Sequence, residues 1–212
     1  GSYEIPFKDF DGEEGKQFKT AHNLFIDEKG RAFIVGTDRN SGMIIYDLTE
    51  DPWNPKEIGF YDEAYVHDIY VRNDTAYPAL INDGDFYILD ISNMNAIQKV
   101  SSHPTKDLLT HNTWLSFDGN YLFTTDETAG CYVGSYDVSD IYDIQEIDLI
   151  KFDHEENGTY ICDDITTHNI LLKSLPIFKE TPLNITTRVL NNNNLVEFTV
   201  NEFIYYAPIC NN

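Results

Sequence analysis

Apolar and polar residues alternate in short runs along most of this chain, and turn-forming residues separate the runs. The stretch from His111 to Glu127 shows the pattern most clearly. An apolar run is followed by Asp118-Gly119 and a second apolar run, which is typical of a β-hairpin. The stretches from His22 to Asp38 and from His67 to Asp83 have the same order of features. The pattern therefore predicts three related hairpins.

The hairpins recur at a nearly constant distance. His22 and His67 are 45 positions apart, and His67 and His111 are 44 apart. Two further strand-like runs follow each hairpin, so each repeat predicts four short strands. A four-stranded repeat with a period in the forties is typical of a propeller blade. We therefore predict an all-β fold, a β-propeller or partial propeller of four-stranded blades.

A fourth repeat begins at His168 but is shorter than the others. Only 16 residues separate His168 from Asn184, against 25, 23 and 26 between the corresponding positions of the earlier repeats. We therefore predict three clear repeats and a degenerate fourth. The predicted divisions are a leading strand or loop at 1–20, propeller repeats at about 21–62, 66–103, 110–152 and 166–187, and a divergent Asn-rich tail at 188–212.

Two sets of equivalent residues test this repeat assignment. An Asp followed by a hydrophobic residue and Ser or Thr predicts the end of the third strand in each blade, at Asp47, Asp90 and Asp137. An aromatic residue stands three positions after each repeat's His and should be buried on a common side, at Phe25, Tyr70 and Trp114.

The charge of the chain limits its partners. Asp and Glu number 36 and Lys and Arg 14, which gives a formal net charge of −22. A surface of this sign repels phosphate, so we expect no binding to nucleic acid or to anionic membranes. No apolar run approaches the roughly 18 residues that a membrane span needs. The three cysteines lack the CxxC spacing of a zinc ribbon.

Several motifs resemble the LVIVD-repeat proteins, and the closest similarity is to the choice-of-anchor B group of secreted or surface-anchored bacterial proteins. These motifs are the repeated HN or HD at the hairpin starts, YDLTEDPWNP, LDISN and HNTWLSFDGNYLFTTDE. The resemblance covers about residues 20–152 well and 153–186 in part. It implies a β-propeller at an extracellular or cell-surface location, and it carries over no catalytic activity. No signal peptide is visible in the sequence, and Gly1-Ser2 resembles a processed end from which a leader could have been removed.

The repeated histidines suggest a possible metal site. Equivalent positions on successive blades lie on a ring around the propeller axis, so His22, His67, His111 and His168 could converge there. Imidazole is a ligand for Cu, Zn, Fe or Ni. Carboxylates could add ligands or orient the rings. We expect Asp38, Asp83 and Asp126 to share one blade position, and Glu127 follows the last of them. The alternative is structural, since a buried imidazole needs a hydrogen-bond partner and its own hairpin's Asp could supply one.

Calcium is a second metal candidate. The turns after the hairpins, which begin at Asp38, Asn82 and Asp126, combine side-chain oxygens with Gly. The same residue types are also favoured in any tight turn. No GxSxG, HExxH, GxGxxG or P-loop motif is present. We therefore favour a non-enzymatic extracellular or surface scaffold that binds a protein or glycan through its blade loops. The alternative is a metal-binding propeller, including an oxidoreductase, with its site in the histidine ring. Self-association would follow if the blades do not close a ring.

Overall fold

The computed structural model describes residues 18–128 and 132–150 with their side chains, and beyond them the backbone of the strands only. It confirms the all-β prediction, with three four-stranded antiparallel sheets in the simple strand order expected of blades. Blade one contains β1 Asn23–Ile26, β2 Arg31–Val35, β3 Met43–Asp47 and β4 Lys56–Tyr61. Blade two contains β5 Asp68–Arg72, β6 Thr75–Leu80, β7 Asp85–Asp90 and β8 Gln98–Pro104. Blade three contains β9 Thr110–Leu115, β10 Tyr121–Asp126, β11 Tyr132–Asp137 and β12 Gln145–Lys151.

The strands that follow blade three are connected differently. The short strands β13 Glu155–Glu156 and β14 Thr159–Tyr160 pair with each other. A further sheet contains β15 Ile165–Thr167, β16 Ile185–Leu190, β17 Leu195–Val200 and β18 Phe203–Asn211 in the order β15-β18-β17-β16. Strand β15 therefore pairs with the last strand of the chain rather than with the next one. Two strands of this sheet, β17 and β18, fall within the segment predicted as a divergent tail, and His168 lies outside the described residues.

The three described blades pack side by side through apolar cores. The core between blades one and two joins residues of β2 and β3 to residues of β5, β6 and β7, among them Phe33, Ile45, Ile69 and Val71. The core between blades two and three joins Tyr77 and Phe86 to Leu122 and Tyr136. One face of blade two thus contacts blade one, and its opposite face contacts blade three. This stacking places the first strands β1, β5 and β9 next to one another around the axis.

The first hairpins of the blades differ only in the length of their turns. The residues that flank each turn are Asp27 and Arg31 in blade one, Arg72 and Thr75 in blade two, and Ser116 and Tyr121 in blade three. The turns therefore contain three, two and four residues. In blade two, Asn73 and Asp74 both have positive φ, 51° and 59°, as a type I′ turn requires.

These unequal turns correct part of the sequence alignment. The aromatic residues that pair with Phe25, Tyr70 and Trp114 across the hairpin are Phe33, Tyr77 and Phe123. In blade three the paired residue is therefore Phe123 and not Tyr121, the first aromatic residue after the turn. The longer turn of blade three shifts the second strand by two residues relative to that of blade two.

The predicted position of the third-strand aspartates is confirmed. Asp47, Asp90 and Asp137 are the last residues of β3, β7 and β11. The Oδ1 atom of each accepts a hydrogen bond from the backbone N–H two residues later, at 2.8, 2.8 and 2.9 Å. These bonds lower the pKa of Asp47 and Asp90, together with hydroxyl bonds from Thr49 and Ser92. The repeated Asp therefore closes a local turn in every described blade.

Candidate metal centre at the histidine end of the blades

Each described histidine of the repeat stands at the start of the first strand of its blade. His22 and His67 directly precede β1 and β5, and His111 is the second residue of β9. The backbone N–H of His22 donates to the carbonyl of Val35 and that of His67 to the carbonyl of Ala79, both at 2.9 Å. The ladder thus fixes the histidines at equivalent heights. We call this end of the blades the histidine end.

The imidazole rings of neighbouring blades contact one another in tilted arrangements. The ring centroids of His22 and His67 lie 3.8 Å apart, and those of His67 and His111 lie 4.3 Å apart. His67 and His111 are buried, whereas His22 is exposed. The rings therefore meet between blades, as the ring hypothesis expected, and are not directed only into their own blades.

A backbone carbonyl orients the middle histidine. Nδ1 of His67 lies 3.1 Å from the carbonyl oxygen of His111. A carbonyl oxygen can only accept a hydrogen bond, so Nδ1 of His67 carries the proton in this contact. The lone pair of the ring is then on Nε2. Metal-binding histidines commonly have this arrangement, in which one ring nitrogen donates to a carbonyl and the other ligates.

Glu127 adds a carboxylate to the two buried rings. Its backbone N–H donates to the carbonyl of Leu109 at 2.9 Å, which holds Glu127 directly after β10. One of its carboxylate oxygens, Oε2, lies 3.9 Å from Nε2 of His111. One possible ligand atom from each of His67, His111 and Glu127 lies within 4.8 Å of the other two.

The spacing of these three groups suits one small ion. Ligands about 2.1 Å from a tetrahedral metal lie about 3.4 Å apart. The three atoms would therefore need to approach one another by about 1 Å or a little more, which small side-chain rotations supply. Two imidazoles and one carboxylate are a ligand set used for zinc and other divalent transition metals, with a fourth position left for water.

The aspartates of the hairpins do not belong to this group. The residue after each His pairs with Val35, Ala79 or Thr125 on the second strand of its hairpin. Asp38 lies three positions beyond Val35, Asp83 four beyond Ala79, and Asp126 one beyond Thr125. They had been expected to share one blade position. The expectation was wrong because equal distances along the chain include turns of different length.

Asp38 and Asp126 instead hold the loops that enter their blades. Oδ1 of Asp38 accepts hydrogen bonds from the backbone N–H groups of Lys19 and Thr20, which lower the pKa of this exposed carboxyl. Asp126 is buried and accepts from the Thr105 hydroxyl and from the N–H groups of Asp107 and Leu109. Burial raises the pKa of Asp126, although these bonds oppose the shift.

The turn proposed for calcium in blade one uses its oxygens internally. Oδ1 of Asn40 accepts from the N–H of Gly42, and the carbonyl of Asn40 accepts from the Thr37 hydroxyl. Asp83 is exposed in its turn. Within residues 18–128 and 132–150, the set of His67, His111 and Glu127 is the one group of three or more His, Cys, Asp or Glu side chains placed for a shared ion.

The residue after each histidine has a role that sequence reasoning missed. Asp68 and Asn112 are both buried, and Nδ2 of Asn112 donates to Oδ2 of Asp68 at 2.8 Å across blades two and three. The other carboxylate oxygen of Asp68 accepts from the backbone N–H of Ile69. The signal was present as the repeated HN and HD dipeptides. This pair fixes the spacing of the two strands that carry His67 and His111.

A layer of aromatic rings lies on the same strands. The ring centroids of Phe25 and Tyr70 are 5.3 Å apart, those of Tyr70 and Trp114 4.9 Å, and those of Phe25 and Trp114 6.4 Å. The three rings therefore lie on a common side of their strands, as expected. The expected burial is only partial, since all three residues retain intermediate exposure. Because Phe25 also approaches Trp114, the rings of all three described blades form one cluster.

Similar structures support the propeller architecture. No protein-family model and no curated protein matches the chain. A protein from Lactobacillus plantarum is similar with a TM-score of 0.57 and 13% identity, over 84% of this chain and 50% of that one. The periplasmic gluconolactonase of Pseudomonas aeruginosa is similar with a TM-score of 0.54 and 9% identity, over 89% and 54%. The β-propeller domain of Cps50 (Swd1) from Myceliophteria thermophila has a TM-score of 0.52 and 9% identity, over 85% and 55%.

These similarities show the fold alone, because the identities are low. The chain is a partial β-propeller, and it spans about half the length of the solved structures it matches. In the part of the chain that the structure describes, no helix is long and apolar enough to cross a membrane.

Proposed function

We propose that this propeller binds one divalent transition-metal ion between blades two and three, with His67, His111 and Glu127 as ligands. The observation that carries the proposal is the convergence of three suitable ligand atoms within 4.8 Å. They come from two blades whose spacing is fixed by the buried Asn112–Asp68 hydrogen bond. The strong negative charge of the chain also raises the local concentration of cations.

The donor set favours zinc or a similar ion over calcium. Calcium takes six to eight oxygen ligands, whereas this group offers two nitrogens and one carboxylate. His22 contacts the ring of His67 at the exposed side of the cluster and is not among the three grouped ligands. We therefore expect His22 to shield the site rather than to bind the ion.

Metal analysis of untagged protein tests this proposal. We expect about one equivalent of zinc, cobalt or nickel after dialysis, and a cobalt complex with the visible absorption of four-coordinate geometry. His67→Ala and His111→Ala should each lower the affinity at least 100-fold, and Glu127→Gln about 10-fold. Binding should also weaken as the pH falls through about 6.5, because imidazole ligates only when deprotonated.

Two control variants separate this site from general histidine binding. His22→Ala should retain the ion, which distinguishes a three-residue site from a ring that includes every repeat histidine. His103→Ala removes a histidine of β8 whose Nδ1 contacts the carbonyl of Pro104, and it should also retain the ion. Equal metal content in the parent protein and a His67→Ala/His111→Ala double variant would rule the site out.

A binding scaffold is the second candidate, and two exposed aromatic residues favour it. Trp53 and Tyr142 are exposed on the loops between the third and fourth strands of blades one and three. Exposed rings on equivalent loops could stack on sugar rings of a glycan. Binding to immobilised polysaccharides should fall at least 10-fold in a Trp53→Ala/Tyr142→Ala variant. It should persist in Phe117→Ala, which removes an exposed ring from the first hairpin turn of blade three.

The proposed location is extracellular or at the cell surface. The resemblance to secreted and surface-anchored LVIVD-repeat proteins supports it. Fractionation of the producing cells, with detection by antibody, tests it. Recovery of the protein only in the cytoplasmic fraction would contradict it.

A further inference from the structure

Blade one has an apolar face that no described blade covers. A row of directly paired residues crosses its four strands on this face, from Leu24 through Ile34 and Ile44 to Phe60. The middle of the face is buried, with Ala32, Ile44 and Tyr46 at 5%, 0% and 6% exposure, and Phe18 packs against it. Leu24, Ile26 and Phe60 remain exposed at its edges, at 52%, 53% and 53%. We call this surface the open face of blade one.

The same positions are buried in the other two blades. The residues two and four positions after the repeat histidine are Leu24 and Ile26 in blade one, and Ile69 and Val71 in blade two. Ile69 and Val71 are each only 2% exposed. In blade three the positions are occupied by Thr113 and Leu115, at 0% and 4%. The open face therefore has the residue pattern of a blade-to-blade interface, but no blade of the described part of the chain lies on it.

The existing interfaces show which surface fits such a face. Ile69 and Val71 pack against the opposite face of blade one, which presents Phe33, Val35 and Ile45. The row on the open face contains no charged residue. Exposed apolar patches of this kind usually mark interaction sites. The matching partner surface is another blade of the same repeat.

We propose that the open face of blade one docks onto a blade of a second copy of this chain. One chain spans about half the length of the three solved structures named above, so two copies supply roughly the number of blades of one such ring. Closed assemblies with two-fold symmetry are the commonest oligomers of identical chains. The formal charge of −22 on each copy opposes association, so screening by salt should strengthen the pair.

Sedimentation velocity and light scattering of the 212-residue chain test this inference. We expect a species of twice the chain mass at micromolar concentration, with a tighter dimer at 0.5 M than at 0.1 M salt. A Leu24→Ser/Ile26→Ser variant should weaken the dimer at least 10-fold. Both side chains are already half exposed, so circular dichroism and the thermal melting curve of the diluted protein should stay close to the parent.

Matched variants identify the surface. Ile147→Ser and Tyr142→Ser change exposed apolar residues elsewhere, on β12 and in the loop before it, and should leave the dimer intact. A parent protein that stays monomeric at 0.1 mM would overturn the inference, including the case in which the open face binds a different protein. A dimer unaffected by the Leu24 and Ile26 changes, or an open series of larger oligomers, would also overturn it.

Discussion

The two interfaces between described blades are built from the same repeat but held by different chemistry. Between blades one and two, an apolar core is joined at the hairpin turns by ion pairs. Arg31 contacts Asp74 at 2.9 Å and Asp27 at 2.6 Å, and Lys29 also pairs with Asp74. The side chain of Asp74 is 32% exposed, so part of this network is in contact with water.

Between blades two and three, buried hydrogen bonds replace most of these ion pairs. Asn112 donates to Asp68, the Thr113 hydroxyl donates to the carbonyl of Tyr77, and the Ser101 hydroxyl donates to the carbonyl of Ile141. Thr113 occupies the position of Ile69 in blade two. One repeat can therefore keep its backbone while each interface acquires its own side-chain chemistry. The proposed metal site lies at the polar interface, where buried donors and acceptors already orient the rings.

The largest expected loss of stability comes from a change in the loop that leads into blade three. Asp126→Ala removes three hydrogen bonds, from the Thr105 hydroxyl and from the N–H groups of Asp107 and Leu109. The hydroxyl keeps its contacts with the Gly84 carbonyl and the Thr110 hydroxyl, and the two N–H groups are partly buried. Each lost bond costs roughly 1–3 kcal/mol, so we expect a loss of about 4 kcal/mol in the free energy of unfolding. Urea denaturation measures it. The matched change in blade one, Asp38→Ala, should cost much less because that carboxylate is exposed. Equal losses would show that burial does not distinguish the two aspartates.

A change in the aromatic layer should cause the next largest loss in the free energy of unfolding. Trp114 contacts both Tyr70 and Phe25, so Trp114→Ala removes packing across all three described blades. A fully buried Trp would cost 3–5 kcal/mol, and the partial exposure of this ring reduces our expectation to about 3 kcal/mol. Trp53→Ala is the control, because Trp53 is exposed on a loop. A change of less than about 1 kcal/mol for Trp114→Ala would show that the layer contributes little to packing.

Loss of the buried Asn112–Asp68 hydrogen bond between blades two and three should cause the third largest loss in the free energy of unfolding. Asn112→Ala removes a hydrogen bond to a buried carboxylate, which is worth roughly 1.5–3 kcal/mol. We therefore expect a loss of about 2 kcal/mol, independent of salt. Asn23→Ala at the equivalent position of blade one should cost less, since Asn23 is only partly buried. Metal affinity should also fall in Asn112→Ala if the pair sets the spacing of His67 and His111. Unchanged affinity would separate the pair from the site.

The ion pairs between blades one and two should matter less and respond to salt. We expect Asp74→Asn to lower the free energy of unfolding by about 1 kcal/mol at low salt, and by less at 0.5 M, because partly exposed pairs are screened. Repeating the urea denaturation at both salt concentrations measures this. A salt-independent loss would indicate that Asp74 acts through the geometry of its turn instead.

The smallest expected effect is a pH dependence at the same interface. Hydrogen bonding to Lys29, with support from Arg31, holds the pKa of Asp74 below its usual value of 3.8. A lowered carboxyl pKa stabilises the fold above the unfolded-state pKa, and this contribution disappears as the pH falls through the folded-state pKa. The parent should therefore lose more stability than Asp74→Asn between about pH 5 and pH 2. Carbon-13 NMR titration should show Asp74 titrating below 3.8, and a higher value would contradict the assignment.

Much of the architecture follows from the sequence because a repeat constrains local structure. Alternating apolar residues fix the strands, and Asp47, Asp90 and Asp137 end the third strand through a bond to the backbone two residues later. Such features depend on residues close in the chain. They predicted the three blades and placed each histidine at the start of a first strand without any tertiary information.

Only the tertiary structure decided which repeated residues meet. Turns of three, two and four residues shift the second strands, so Asp38, Asp83 and Asp126 do not share a position although their distances from the histidines are nearly equal. The sequence also left burial undetermined. Leu24 and Ile69 are equivalent in sequence, yet among the described blades one packs over Ile69 and none over Leu24. A repeat specifies what each position contains, whereas the neighbouring blade specifies what that position contacts. The proposed ligands His67, His111 and Glu127 come together for that reason, because blade two and blade three are adjacent.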